Sequence, residues 1–165
     1  MNKHNSMRGY FAYELYKQME KDEDIVLLMG DLGYGMFDEH RKAFPDRCYN
    51  TGACEFSMMA MAVGLSLAGK KPVVYSITPF LLYRPFEILR TYINYEKIPV
   101  IMVGGGRGKD YAHDGISHWA DDDMDFMGQL QNIVSVFPLK KEEVTGALVK
   151  KILELDKPVY INLCR

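Results

Sequence analysis

The sequence predicts an α/β fold: a doubly wound, mainly parallel sheet with helices on both faces. Two observations carry this. Short aliphatic runs alternate five or six times with segments of helical periodicity. The runs are also apolar at successive positions rather than at every second one, as in strands buried on both faces. In chain order, residues 7–21 read as the first helix and 25–29 (Ile-Val-Leu-Leu-Met) as the first strand. A weaker strand includes Cys48 and Tyr49, and a helix follows over 55–68. Strand 72–76 leads into a long helical pattern over 80–95, and strand 100–103 into a helix over 122–129. Strand 133–137, a helix over 141–155 and strand 159–163 complete the chain. That last helix carries Val144, Leu148, Ile152 and Leu155 on one stripe, with Glu142 and Glu143 placed to oppose the dipole of its first turn.

A chain of 165 residues, 48% hydrophobic and 12% aromatic, suits one domain over 1–165. Twenty basic against twenty-two acidic residues give a net charge of −2 with no long basic run, which argues against a nucleic-acid partner. No apolar stretch reaches the roughly 18 residues of a membrane span. The N-terminus is polar, unlike a secretory signal. Cys48, Cys54 and Cys164 are an odd count without C-x-x-C spacing, so neither a disulfide framework nor a zinc site is predicted. The expected setting is cytoplasmic, away from membranes.

Ligands of such folds sit beyond the carboxyl ends of the strands, which directs attention to residues 30–36, 50–55, 77–86, 104–118 and the terminal Arg165. Gly104-Gly105-Gly106-Arg107-Gly108 has neither dinucleotide nor P-loop spacing and reads as a flexible loop. No G-x-S-x-G elbow occurs. His113 and His118 lie among Asp110, Asp114 and Asp121 to Asp123, a pattern of a solvated acidic loop more than of a metal site. Glu55 stands out, because Phe56, Met58, Met59, Ala60 and Met61 follow it. Its bland role is compensation of the helix dipole. Apolar neighbours, however, favour a neutral, proton-sharing carboxyl. Phe80, Tyr83 and Phe86 recur at intervals of three, which fits ordinary core packing or flat walls for a bound aromatic ring.

Taken in order, several segments resemble the pyrimidine-binding domain of transketolase over essentially the whole chain. They are Arg8, Gly30-Asp31-Leu32, Asn50-Thr51-Gly52-Ala53-Cys54-Glu55, Gly69-Lys70-Lys71-Pro72, Phe80 to Arg90, and Asp114-Gly115-Ile116-Ser117-His118. Deoxyxylulose phosphate synthase and the 2-oxo acid dehydrogenases share parts of this set. The resemblance implies the thiamine diphosphate-binding fold and a thiamine diphosphate-dependent transferase. Glu55 matches the catalytic glutamate, which hydrogen-bonds N1′ of the aminopyrimidine so that the 4′-imino nitrogen can take the proton from C2 of the thiazolium. Phe80, Tyr83 and Phe86 match the aromatic positions around the pyrimidine, and Asp31 matches an acidic residue near the cofactor, although a turn would also explain it. Arg8, His118 and Arg165 match positions that contact sugar phosphate, with His118 also counted among the catalytic residues.

There are departures. A family histidine twelve positions before His118 is Gly106 here, and a phosphate-binding serine is Gly35, which sets the standard pentose phosphates in question. His113 has no matching role. The Gly-Asp-Gly…Asn motif of the diphosphate-binding domain does not occur, nor does the family's C-terminal domain. The resemblance therefore implies a separate diphosphate-binding partner subunit that holds Mg2+ or another divalent metal, with two copies of each chain. Met58 to Met61 and the rim near Tyr92 to Tyr95 are candidate interface surface, with a core role open for the methionines. Ketol transfer between sugar substrates is the leading expectation. Decarboxylative carboligation, a non-catalytic scaffold and a stand-alone flavodoxin-like binder are the alternatives.

Overall fold

Side chains alternate between the two faces of a strand, so a strand buried at every position must be covered twice. That requirement is met in the four inner strands; the two edge strands, including the one expected over 133–137, are largely exposed, because an edge strand has a neighbour on one side only. In the computed structural model, which describes residues 3–165, the first two residues of the expected domain lie outside the described residues. The strands are β1 (Ile25–Met29), β2 (Cys48–Asn50), β3 (Lys71–Ile77), β4 (Ile101–Gly105), β5 (Val134–Val136) and β6 (Val159–Leu163). They form one six-stranded sheet in the order β2-β1-β3-β4-β6-β5, and every neighbouring pair is parallel.

On one face Leu27, Val73, Val103 and Ile161 pack beneath α1 (Met7–Met19) and α7 (Gly146–Glu154). On the other, Val26, Leu28, Val74 and Met102 meet α3 (Glu55–Leu67) and α4 (Thr78–Tyr83). Ser6 caps α1 by accepting from the Gly9 amide at 3.1 Å. The cap is worth about 1 kcal/mol, against roughly 2 kcal/mol for each of the fully buried Phe11, Leu15 and Met19. Burial therefore decides that the helix exists, and the cap decides where it starts.

Two expected helices are corrected. The pattern over 80–95 is not one helix. It begins earlier, at Thr78 with Pro79 in its first turn, and stops at Tyr83. Pro85 cannot donate an amide hydrogen and crowds the preceding turn, so the chain restarts as α5 (Phe86–Ile88) and runs into a π-helical segment, Leu89–Tyr95. The pattern over 141–155 is likewise divided. Lys141–Glu143 forms a separate 3-10 turn, and Thr145 caps α7 by accepting from Leu148 at 3.2 Å. Glu142 and Glu143 thus lie outside the first turn of α7. Of the methionines considered for an interface, Met58 and Met59 are fully buried in the core and Met61 is exposed, as are Tyr92 and Tyr95.

One short helix, α2 (Asp38–Ala43), was not legible as a pattern. The expected helix over 122–129 is α6 (Asp123–Gly128). No helix among the described residues is long and apolar enough to cross a membrane. Because all six strands run the same way, their carboxyl ends share one edge. The order reverses between β1 and β3, and a crevice opens there.

Candidate functional site

Glu55 is the first residue of α3 and only 2% exposed. After β2 the chain turns through Gly52 (φ +73°), and Thr51 fastens the turn to the end of β1 through a bond to the Met29 carbonyl at 3.2 Å. The carboxyl stem then lies below the ends of β1 and β3. A Cβ on Gly30 would meet Ser76 Oγ at 3.3 Å and Glu55 Cγ at 3.6 Å, so the glycine in Gly30-Asp31 gives the acid its room. A buried carboxylate without a partner is strongly unfavourable. Here Arg84 supplies one, with Nη1 donating to both oxygens at 2.9 and 2.8 Å. The expectation of a purely apolar surrounding is therefore corrected. Below the carboxyl is core, and in front of it is a guanidinium. Arg84 stands where α4 gives way at Pro85, and its guanidinium carbon sits over the Phe80 ring, 3.6 Å from the centroid.

From Phe80 a line of contacts leads across the strand ends. The His118 ring meets Phe80 edge to face at 4.8 Å and lies 6.4 Å from the Tyr111 ring. Tyr111 accepts a hydrogen bond from Arg8 Nη1 at 2.8 Å, and the Arg165 guanidinium sits 5.0 Å above its ring. The Arg165 amide is in turn held by Asp110 Oδ2 at 2.8 Å. Two arginines expected at an anionic substrate are thus mounted on one tyrosine. Beside them is a cavity of about 290 Å³ whose lining includes Arg8, Tyr34, Gly35, Tyr75 and Tyr111. Burial works against the charge of Arg8, but Tyr75, Tyr111 and Asp110 outweigh it and hold its pKa above the ordinary value. Arg8 Nε is buried without a hydrogen-bond partner among the described residues.

The glycine run after strand β4 is not the flexible loop expected. Gly104 and Gly105 are the last residues of β4 and are buried. A Cβ at Gly104 would come within 2.6 Å of Thr78 Oγ1, one at Gly105 within 2.7 Å of the Tyr75 hydroxyl, and one at Gly106 within 2.5 Å of the Tyr111 ring. Three glycines in a row make space for three side chains that build the site. Beneath them is a closed polar network. Asp123 accepts from Tyr160 at 2.8 Å and from Asn162 at 2.6 Å, Arg107 Nε donates to Asn162 at 2.9 Å, and Thr78 donates to the Gly106 carbonyl at 2.6 Å. Burial pushes the Asp123 carboxyl up. The network ties β6, α6, α4 and the end of β4 into one rigid floor.

Comparison with known proteins adds the lineage. A family model described as "Transketolase, pyrimidine binding domain" matches residues 3–165. The chain belongs to the transketolase pyrimidine-binding domain family. It is 31% identical over 163 residues to a putative transketolase C-terminal section of Methanocaldococcus jannaschii, covering 98% of this chain and 51% of that one. It is 28% identical over 160 residues to the 6-deoxy-6-sulfo-D-fructose transketolase subunit of a Clostridium species, covering 96% and 49%. Among solved structures, a split-gene transketolase described as an inactive β4 tetramer superimposes with a TM-score of 0.84 at 33% identity, covering 97% of this chain and 51% of that one. This pyrimidine-binding domain spans about half the length of those relatives.

The remaining expected residues of the transketolase-like site divide into groups. Asp31 has a left-handed backbone (φ +53°) in the turn after β1. It accepts from Tyr34 at 2.7 Å, its amide donates to Asn50 at 3.0 Å, and the Tyr34 and Asn50 bonds hold its carboxyl below the usual range. Tyr83 and Phe86 turn away from Phe80, and both pack on Phe126 of α6, at 5.2 and 5.5 Å between ring centroids. Tyr83 also donates to Asp122 at 2.6 Å. His113 pairs with Asp114 on the exposed rim. Among the described residues there is no cluster of three or more His, Cys, Asp or Glu side chains that could hold a metal ion. Sequence reasoning missed Arg84 and Tyr111, because what brings them to the site is the Pro85 break and the space over Gly106.

Proposed function

We propose that this chain is the pyrimidine-binding subunit of a two-chain, thiamine diphosphate-dependent transketolase-like enzyme, transferring a two-carbon ketol unit between sugar or sugar phosphate substrates. One observation carries the reading. A buried carboxylate and an aromatic face, Glu55 and Phe80, together hold a flat nitrogen-bearing group, the Arg84 guanidinium. An aminopyrimidine is also a flat group with ring nitrogens and an amino donor, so the cleft fits it chemically.

When bound, thiamine diphosphate supplies an acidic thiazolium carbon able to add to carbonyl groups. Glu55 would hold a proton at the pyrimidine nitrogen, the only buried acid placed to do so beside Phe80 among the described residues. Phe80 fixes the ring plane, with Tyr83 and Phe86 supporting the wall through α6. Asp31 shapes the turn that borders the cofactor side. His118, against Phe80, faces the reacting end of the substrate, and Arg8 and Arg165 bind its anionic end. The diphosphate and its divalent metal would be held by a diphosphate-binding subunit carrying Gly-Asp-Gly…Asn, in an assembly with two copies of each chain. The relatives named as transketolase sections and subunits support that division. A cytoplasmic setting agrees with three cysteines that are all free.

The test is Glu55→Gln in the complex reconstituted with the diphosphate-binding subunit, followed by proton exchange at C2 of the cofactor. Exchange is expected to collapse while assembly persists. Exchange at the wild-type rate would remove Glu55 from the mechanism.

A further inference from the structure

Arg84 makes both contacts that a bound ring would need. One nitrogen of its guanidinium spans the two Glu55 oxygens, and its central carbon lies 3.6 Å from the Phe80 centroid, a van der Waals separation that admits nothing between them. Glu55 is 2% exposed with Arg84 in place, and Arg84 is the side chain hydrogen-bonded to its oxygens. Arg84 itself is 46% exposed and makes no other hydrogen bond among the described residues. It projects from the point where α4 ends before Pro85, and no helical turn continues through it. The acid is anchored in the core; the cation is fastened only at its tip.

We propose that Arg84 is a competing seat-holder: in the free chain its guanidinium occupies the place of the aminopyrimidine, and cofactor binding displaces it. The proposal rests on the functional reading above and adds a determinant of cofactor affinity to it. Its physical purpose is twofold. The arginine spares the buried carboxylate from standing unpaired before the cofactor arrives. Its departure then leaves the carboxyl facing a ring nitrogen instead of a cation, the arrangement in which a proton can be shared between them. A half-exposed ion pair is weak enough to yield. The occupied seat lowers apparent affinity in proportion to the fraction of time it is open, about two- to fivefold for a pair of this kind.

The experiment uses this chain, with labelled arginine side chains, reconstituted with the diphosphate-binding subunit and titrated with thiamine diphosphate and Mg2+. Arg84→Ala, Arg84→Gln and Glu55→Gln are compared with the wild type, and a thermal melt confirms that each is folded. Arg84→Gln keeps an amide donor for the carboxylate and serves if the alanine variant is unstable. The Arg84 guanidinium resonances are expected to lose their protected positions as the ligand binds. Both Arg84 variants are expected to bind about two- to fivefold more tightly. Arg84 resonances unmoved at saturation, or Arg84 variants that bind more weakly while Glu55→Gln still impairs binding, overturn the seat-holder alone. Binding that neither Glu55→Gln nor any Arg84 variant alters overturns the functional reading and this proposal together.

Discussion

Tyr111 joins three residues whose separation along the chain conceals their proximity. Its hydroxyl holds Arg8, its ring carries Arg165, and the His118 ring lies 6.4 Å away. An arginine so mounted recognises charge from a fixed position, and a charge-assisted bond of this kind contributes about 1.5–3 kcal/mol. Arg165→Ala should therefore raise KM for an anionic substrate by roughly ten- to a hundredfold and leave kcat nearly unchanged. Steady-state kinetics on paired charged and uncharged substrates would check this, and an equal loss on both would dissolve the anion pocket. Tyr111→Phe keeps the ring under Arg165 and removes only the bond to Arg8. A smaller rise in the same KM, about three- to tenfold, is expected. Glu55 was legible in the sequence because a charge at the head of an otherwise apolar helix needs a reason. Arg84 was not, since a lone arginine after a helix is ordinary until a buried acid is found opposite it.

At the scale of elements, the departures from expectation come from single residues that override periodicity. Pro85 divides one helical pattern, and Thr145 with Gly146 restarts another. Thr145→Ala should cost about 1 kcal/mol of stability in urea unfolding, the usual worth of a cap. The end of β4 is less forgiving. Gly104→Ala puts a methyl 2.6 Å from Thr78 Oγ1 and 3.1 Å from the Tyr160 hydroxyl, inside the network around Asp123 and Asn162. A loss of about 2–4 kcal/mol is expected by the same measurement, from overpacking and from broken buried bonds. A cost below 1 kcal/mol would mean that the floor of the site is soft rather than rigid. The helix α2 escaped notice because six residues are too few for a helical period to show. Its only sequence signal is Asp38 and Glu39 ahead of His40, Arg41 and Lys42, the charge order a helix dipole favours.

Over the whole molecule, the sheet faces are covered so completely that a titratable group has been enclosed with them. His40 is fully buried between Tyr16 and Phe37, with no partner on either ring nitrogen, and burial lowers its pKa from 6.5 to about 4. The unfolded chain therefore binds this proton at higher pH than the folded one does. The stability that His40 contributes is present above pH 6.5 and is lost as pH falls toward about 4, a change of about 3 kcal/mol. Urea unfolding across that range should show the decline, and His40→Leu should flatten it; a slope unaffected by the substitution would assign the decline to other groups. The parallel architecture, the strands and Glu55 were all determined by sequence alone, because hydrophobic period and a charge out of pattern are local properties. Tertiary structure alone decided the pairing of Glu55 with Arg84, the separation of Phe80 from Tyr83 and Phe86, and the meeting of Arg8 with Arg165 over Tyr111. Those outcomes depend on which side chains share a volume, and shared volume is set by strand order and by the absence of three β-carbons at the end of β4.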